Sequence, residues 1–100
     1  MQLDPQTRMI QVCDLSGLQA FARDKSIKPA DRVRVDALSA PKVHGNVISG
    51  AGGALRSGGL WIGFSFTCEV AADRMRTTAF RYVIGKAIPP GQWEKYNLWR

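Results

Sequence analysis

The chain has 100 residues, 45 % hydrophobic and 22 % charged, the make-up of an ordinary globular domain. It contains no run approaching the ~18 apolar residues of a membrane-crossing helix, and its polar start, MQLDPQTR, carries no signal sequence, so any targeting is expected in a larger parent chain. Fourteen basic and eight acidic residues leave a net charge of +6, which favours polyanions without choosing one, because no block of five bases occurs.

One domain covering residues 1–100 is expected at this length. Asp4-Pro5 reads as a helix start: a carboxylate caps free amides, and proline at the first helical position loses no needed donor. Ile10, Cys13, Gly17 and Phe21 then share one side at helical spacing, with Met9, Val12 and Ala20 flanking them. A helix is therefore predicted over Pro5–Arg23. Gly17 weakens it by on the order of 1 kcal/mol relative to alanine, and points to close approach by another element. Lys28-Pro29-Ala30-Asp31 ends the pattern. RVRVDAL (32–38) alternates and reads as a strand, with a helix begun at Asp31 as the competing reading. Residues 39–45 read as loop and NVIS (46–49) as a short strand. Seven of the ten glycines lie between positions 45 and 63, which predicts an irregular or bulged crossing into the next strand.

GLWIGFSFTCEV (59–70) holds the clearest strand, over Leu60–Val70. Leu60, Ile62, Phe64, Phe66, Cys68 and Val70 point to one face, and Trp61, Gly63, Ser65, Thr67 and Glu69 to the other. Residues 74–86 are rich in Thr, Phe, Tyr, Val and Ile and read as its hairpin partner across a tight Ala71-Ala72-Asp73 loop. Core burial selects a register with Phe64 opposite Phe80, Ile62 opposite Tyr82 and Leu60 opposite Ile84. Two prolines then end the strand, and Trp93, Tyr96 and Trp99 recur every three residues, as in a short helical turn laid on the sheet edge. The expected fold is α+β: a small antiparallel sheet of three or four strands, covered on one face by the N-terminal helix, with a short C-terminal helical turn.

Cys13 on the helix stripe and Cys68 on the core row approach each other if that helix crosses that sheet face. With no CxxC pair and no neighbouring histidine they make a poor metal site, and neither a metal nor a cofactor is expected. A disulfide and two buried thiols packing as small hydrophobes both remain open on the residues alone.

LDPQTRMIQVCDL, DRVRVDAL followed by PKVHGN, GALRSGGLWIGFSFTCEV and FRYVIGKAIPPGQWEKYNLW together resemble a bacterial family, domain of unknown function 930, over nearly the whole chain. The chain departs from the family pattern at Ile62, where a tyrosine is expected, and at Leu55, where phenylalanine is usual. Both exchanges are apolar. The resemblance implies a periplasmic, cell-envelope protein. Some larger relatives look like TonB, with an N-terminal membrane anchor, a proline-rich spacer and this domain at the periplasmic end. An oxidising compartment in turn implies a Cys13–Cys68 disulfide. The resemblance supplies no catalytic residues.

The residues offer little catalysis. His44, the sole histidine, has no suitably spaced nucleophile, and a lone loop histidine is usually solvated. Asp14, Asp24 and Asp31 look like surface or capping groups. SGAGGALRSGG lacks the lysine and hydroxyl that end a phosphate loop, although Arg56 within it is placed to meet an anion. On the outward row of the hairpin, Trp61 lies diagonal to Arg81, and the two are expected to form an exposed recognition surface whose loss would leave stability unchanged. The preferred reading is a non-catalytic module binding an envelope protein or polymer, with an exposed hairpin edge able to accept a partner strand. The alternatives are a basic nucleic-acid binder, not expected for an exported domain, and a small enzyme with a pocket near His44 and Arg56.

Overall fold

A computed structural model describes residues 5–99. Helix α1 spans Pro5–Arg23 as predicted, while the Asp4 cap lies outside the described residues. Five antiparallel strands follow: β1 (Ala30–Arg34), β2 (Lys42–His44), β3 (Val47–Ser57), β4 (Leu60–Val70) and β5 (Thr77–Ala87). Their order is β1-β3-β4-β5, with β2 also pairing β3 beyond the end of β1. Two 3-10 turns, Pro90–Gln92 and Glu94–Tyr96, close the chain. The sheet is thus slightly larger than expected. The region read as loop holds β2, and the segment read as a short strand plus glycine connector is one eleven-residue strand, β3.

The alternation of RVR does give a strand rather than a helix, though it stops at Arg34. The glycines of β3 do bulge it: its register on β4 shifts between Gly50 and Gly53. Gly58 and Gly59, both at positive φ (59° and 81°), make the two-residue turn that returns the chain from β3 to β4.

α1 lies across one face of the sheet. Its innermost line is Met9, Cys13, Gly17 and Phe21, with Ile10 to the side, where the spacing had put Ile10 in line. A Cβ on Gly17 would stand 2.9 Å from Val33 Cγ1 and 3.3 Å from Phe80 Cζ, so only glycine lets the helix sit this low. Beneath it Phe21 meets Phe64 and Tyr82 edge-on, with centroids 4.9 and 4.5 Å apart. Cys13 and Cys68 are fully buried in this core and joined by a disulfide, with Cα atoms 6.2 Å apart. Of the two readings that the residues left open, the disulfide is the one found.

The hairpin of β4 and β5 forms, but in another register. Phe64 pairs with Ile84, Phe66 with Tyr82 and Cys68 with Phe80. The loop between the strands is six residues long rather than three. Ala71 N–H donates to Arg76 O, Asp73 Oδ1 accepts from Met75 N–H, and Arg74 takes a positive φ of 58°. The slip relative to the expected register is four residues. An even slip leaves every side chain on its original face, so burial alone has no means of excluding it. Leu60, placed in the core row from its alternation, is half exposed beside the Gly58-Gly59 turn.

The opposite face carries a second core. Trp61, Ala37 and Ala54 pack against Ile88, Trp93 and Leu98, with Tyr96 beside them, so these two C-terminal aromatics lie over the sheet face and not along its edge, while the Trp99 side chain is 67 % exposed. Trp61 Nε1 donates to Trp99 O at 2.8 Å, Arg56 Nη1 donates to the same oxygen at 3.1 Å, and Trp93 Nε1 donates to Ile88 O at 2.9 Å. Arg34 reaches the carbonyls of Tyr96 and Asn97, both at 3.3 Å. The tail is held by its backbone acceptors.

Candidate functional site

β5 ends the sheet order, and among the described residues no strand pairs with its outer side. An edge strand turns the N–H and C=O groups of alternate residues away from its neighbour, leaving a row able to pair with an incoming chain. The sequence TTAFRYVIGKA explains what flanks that row. Phe80, Tyr82 and Ile84 point to the α1 side and Ala79, Arg81 and Val83 to the other. No residue of β5 is buried, whereas five of the eleven in β4 are. The difference is positional: β4 has a strand on each side, and β5 has one. Phe80, Tyr82 and Ile84 therefore pack against the first core while remaining partly open.

Two polar contacts tie β5 to the helix side. Tyr82 donates its hydroxyl to Asp24 Oδ2 at 2.7 Å, and the Ser16 and Thr77 hydroxyls lie 2.6 Å apart. Ser26 and Tyr82 together hold the Asp24 carboxyl below the ordinary carboxylate range. On the far face a shallow depression is lined by Ser65, Thr67, Arg81 and Val83, with Phe66 and Tyr82 below. Val83 is 69 % exposed, a high value for a valine in a regular strand.

The three binding residues expected from sequence do not form one surface. Trp61 is 1 % exposed, in the second core, and is not a recognition anchor on a solvated face. Arg81 pairs with Thr67, six residues along β4 from Trp61 and so about 20 Å away, which rules out the expected diagonal contact. The cation over the Trp61 ring is instead Arg56, 5.9 Å from the centroid. Arg56 is no free anion receptor: it grips Asp31 with two bonds of 2.8 Å and so holds that carboxyl below its usual range. Asp31 is the exposed surface acid that its sequence suggested, paired there with Arg56. The alternative of a pocket shared by His44 and Arg56 is not assembled either. His44 pairs with Val47, and Arg56 lies nine residues further along the same strand, about 30 Å away. Only Arg81 remains on an open face.

The match that places the chain among known proteins is to the family described as Domain of Unknown Function (DUF930), over residues 1–98. The chain belongs to this family. No curated protein and no solved structure matches it. In this DUF930 domain the segments that carried the resemblance build both cores: the cysteine-bearing helix and the strand ending in Cys68 make the first, and Trp61 with the IPPGQW ending makes the second. Among the described residues no helix is long and apolar enough to cross a membrane.

One group of the DUF930 domain that sequence placed at the surface is partly buried. Asp14 lies in a groove between α1 and β1, lined by Gln11, Leu15, Leu18 and Val33, and accepts Val35 N–H at 2.8 Å. Burial pushes its pKa up to about 6, against the lowering effect of the Val35 bond. An aspartate whose folded pKa is raised binds its proton more tightly when folded. The stabilising effect of that proton is complete below about pH 4 and is lost as pH rises through about 6. Asp14→Asn keeps the acceptor for Val35 and removes the charge. It is expected to add about 2 kcal/mol at pH 7.5 and almost nothing at pH 4. Urea unfolding at both pH values checks this, and a gain equal at both would refute it.

Proposed function

We propose that this domain is a non-catalytic, extracytoplasmic module that binds a partner protein by accepting one of its segments as an additional strand along β5. The observation that carries the reading is the outer side of an eleven-residue edge strand, unpaired among the described residues, whose apolar row is only partly covered. Natural sheets blunt such edges with short strands, prolines, charged side chains, bulges or covering elements; β5 has the length of the interior strands and no proline, and of these devices it carries the charges of Arg81 and Lys86 and a register shift near each end. An added strand supplies main-chain partners for affinity and side-chain neighbours for specificity. The Cys13–Cys68 bond supports the compartment, since disulfides persist where the surroundings oxidise. The periplasm of the bacterial envelope is such a place, which accords with the location implied by the family resemblance.

Photo-crosslinking in the native cell tests the reading. A photoreactive amino acid at exposed Thr78, Arg81 or Val83 of β5 is expected to trap one protein partner. The same group at Arg32 on β1 or Gln11 on α1, also exposed, is expected to trap little. Cross-links spread evenly over these positions, or found only away from β5, would remove the strand-acceptor reading.

A further inference from the structure

We infer that the segment accepted by β5 is acidic and carries an apolar side chain at the end that lies beside Thr77, where the groove between α1 and the β4–β5 loop receives it. This rests on β5 acting as the acceptor strand. The charge argument comes from the strand and the loop before it: over residues 71–87, Arg74, Arg76, Arg81 and Lys86 stand against a single acid, Asp73. The ion pair found among the described residues, Asp31–Arg56, lies elsewhere. Arg81 and Lys86 are exposed, and the buried Nε of Arg74 has no hydrogen-bond partner. The one acid on β4 is Glu69, opposite Ala79. Opposite charges across a strand pair attract and like charges repel, so this edge favours a partner rich in Glu or Asp and disfavours a second copy of itself. Nucleic acid shares the negative charge but lacks the alternating amide donors and acceptors that match an open strand edge.

The apolar end follows from what adjoins β5. At Thr77 the strand runs into a groove lined by Val12, Leu15 and Met75, with Ser16, Gln19 and Arg76 at its rim. Leu15 is 57 % and Met75 70 % exposed, so apolar surface stands open where an added strand would leave the sheet edge. Towards the middle of β5, the partner's inward row would meet the half-covered Phe80, Tyr82 and Ile84. Both rows are therefore defined: apolar towards α1, acidic towards Arg81.

The probe is a fluorescent peptide as long as β5, alternating valine with glutamate and ending in leucine. Its comparisons carry lysine for glutamate, serine for the terminal leucine, or N-methyl groups on alternate amides. Affinity is read by anisotropy at low salt, and position by amide shifts in NMR spectra of the intact chain. The glutamate peptide is expected to bind at β5 at least about tenfold more tightly than the lysine peptide, and Arg81→Glu with Lys86→Glu to reverse that order. Loss of the terminal leucine is expected to weaken binding about tenfold in the native protein and not in Leu15→Ser with Met75→Ser. Equal binding of both charge types at β5 overturns the acidic partner while leaving the acceptor strand in place. Undiminished binding of the N-methylated peptide, or no shifts at β5 with any peptide, overturns the acceptor strand itself. Single-stranded DNA shifting β5 more strongly than the glutamate peptide, or a dimer through β5, overturns the inference in favour of that occupant.

Discussion

Replacing Cys13 and Cys68 together by alanine is expected to lower the unfolding free energy by about 4 kcal/mol, the chain-entropy value for a closed loop of this span. The residues are 55 apart in sequence, so the bond removes a large share of the unfolded chain's freedom. Domains of this size have total stabilities of roughly 5 to 15 kcal/mol, so the loss is a large part of the whole. It corresponds to a fall in melting temperature of roughly 20 °C. Alanine is the informative replacement because both sulfurs are fully buried among apolar side chains, and serine would add a hydroxyl to that core. Intact mass after alkylation of native, non-reduced protein checks the premise. Two freely alkylating cysteines would remove the bond and weaken the oxidising compartment with it.

Trp61→Ala is expected to destabilise by about 3 to 5 kcal/mol, the usual range for truncating a fully buried large aromatic. The indole fills the space between Ala37, Ala54 and the closing segment, and its N–H satisfies the Trp99 carbonyl. Trp61→Phe retains most of the volume and loses the hydrogen bond, so about 1 kcal/mol beyond its packing change is expected. Urea unfolding of both variants separates these effects. Unchanged stability in Trp61→Ala would mean that the second core contributes little and that the tryptophan belongs to a surface role. The expectation of weakened binding at intact stability is therefore kept for Arg81, which is exposed on an open face, and withdrawn for Trp61.

The difference between these two residues shows where sequence reasoning stopped. Alternation put Trp61 and Arg81 on one face, and they do share it. A shared face is a local property of pleated strands. Distance along that face depends on register, and register depended on the 71–76 loop, whose Asp73 and Arg74 conformations leave no periodic signal. Whether the face is wet depended on where the last twelve described residues fold back. The spacing of Trp93, Tyr96 and Trp99 did forecast helical turns there. That Leu98 and Trp93 cover Trp61 is a contact across more than thirty residues, and no local pattern encodes it. Asp14 was missed for a related reason: a carboxylate on a helix looks exposed until another element, here β1, lies beside it.

Local chemistry determined the bounds of α1, the β4 strand, the meeting of helix and sheet at Gly17, and the pairing of Cys13 with Cys68 once the resemblance supplied an oxidising setting. Those features depend on periodicity and on side-chain size, which a chain carries residue by residue. Tertiary structure alone decided that β5 stands at the rim with no strand on its outer side among the described residues, that Trp61 is roofed over, and that Arg56 is spent on Asp31. Each of these depends on which distant segment occupies the neighbouring space, and free energy of that kind belongs to the assembled packing and to no single stretch of chain.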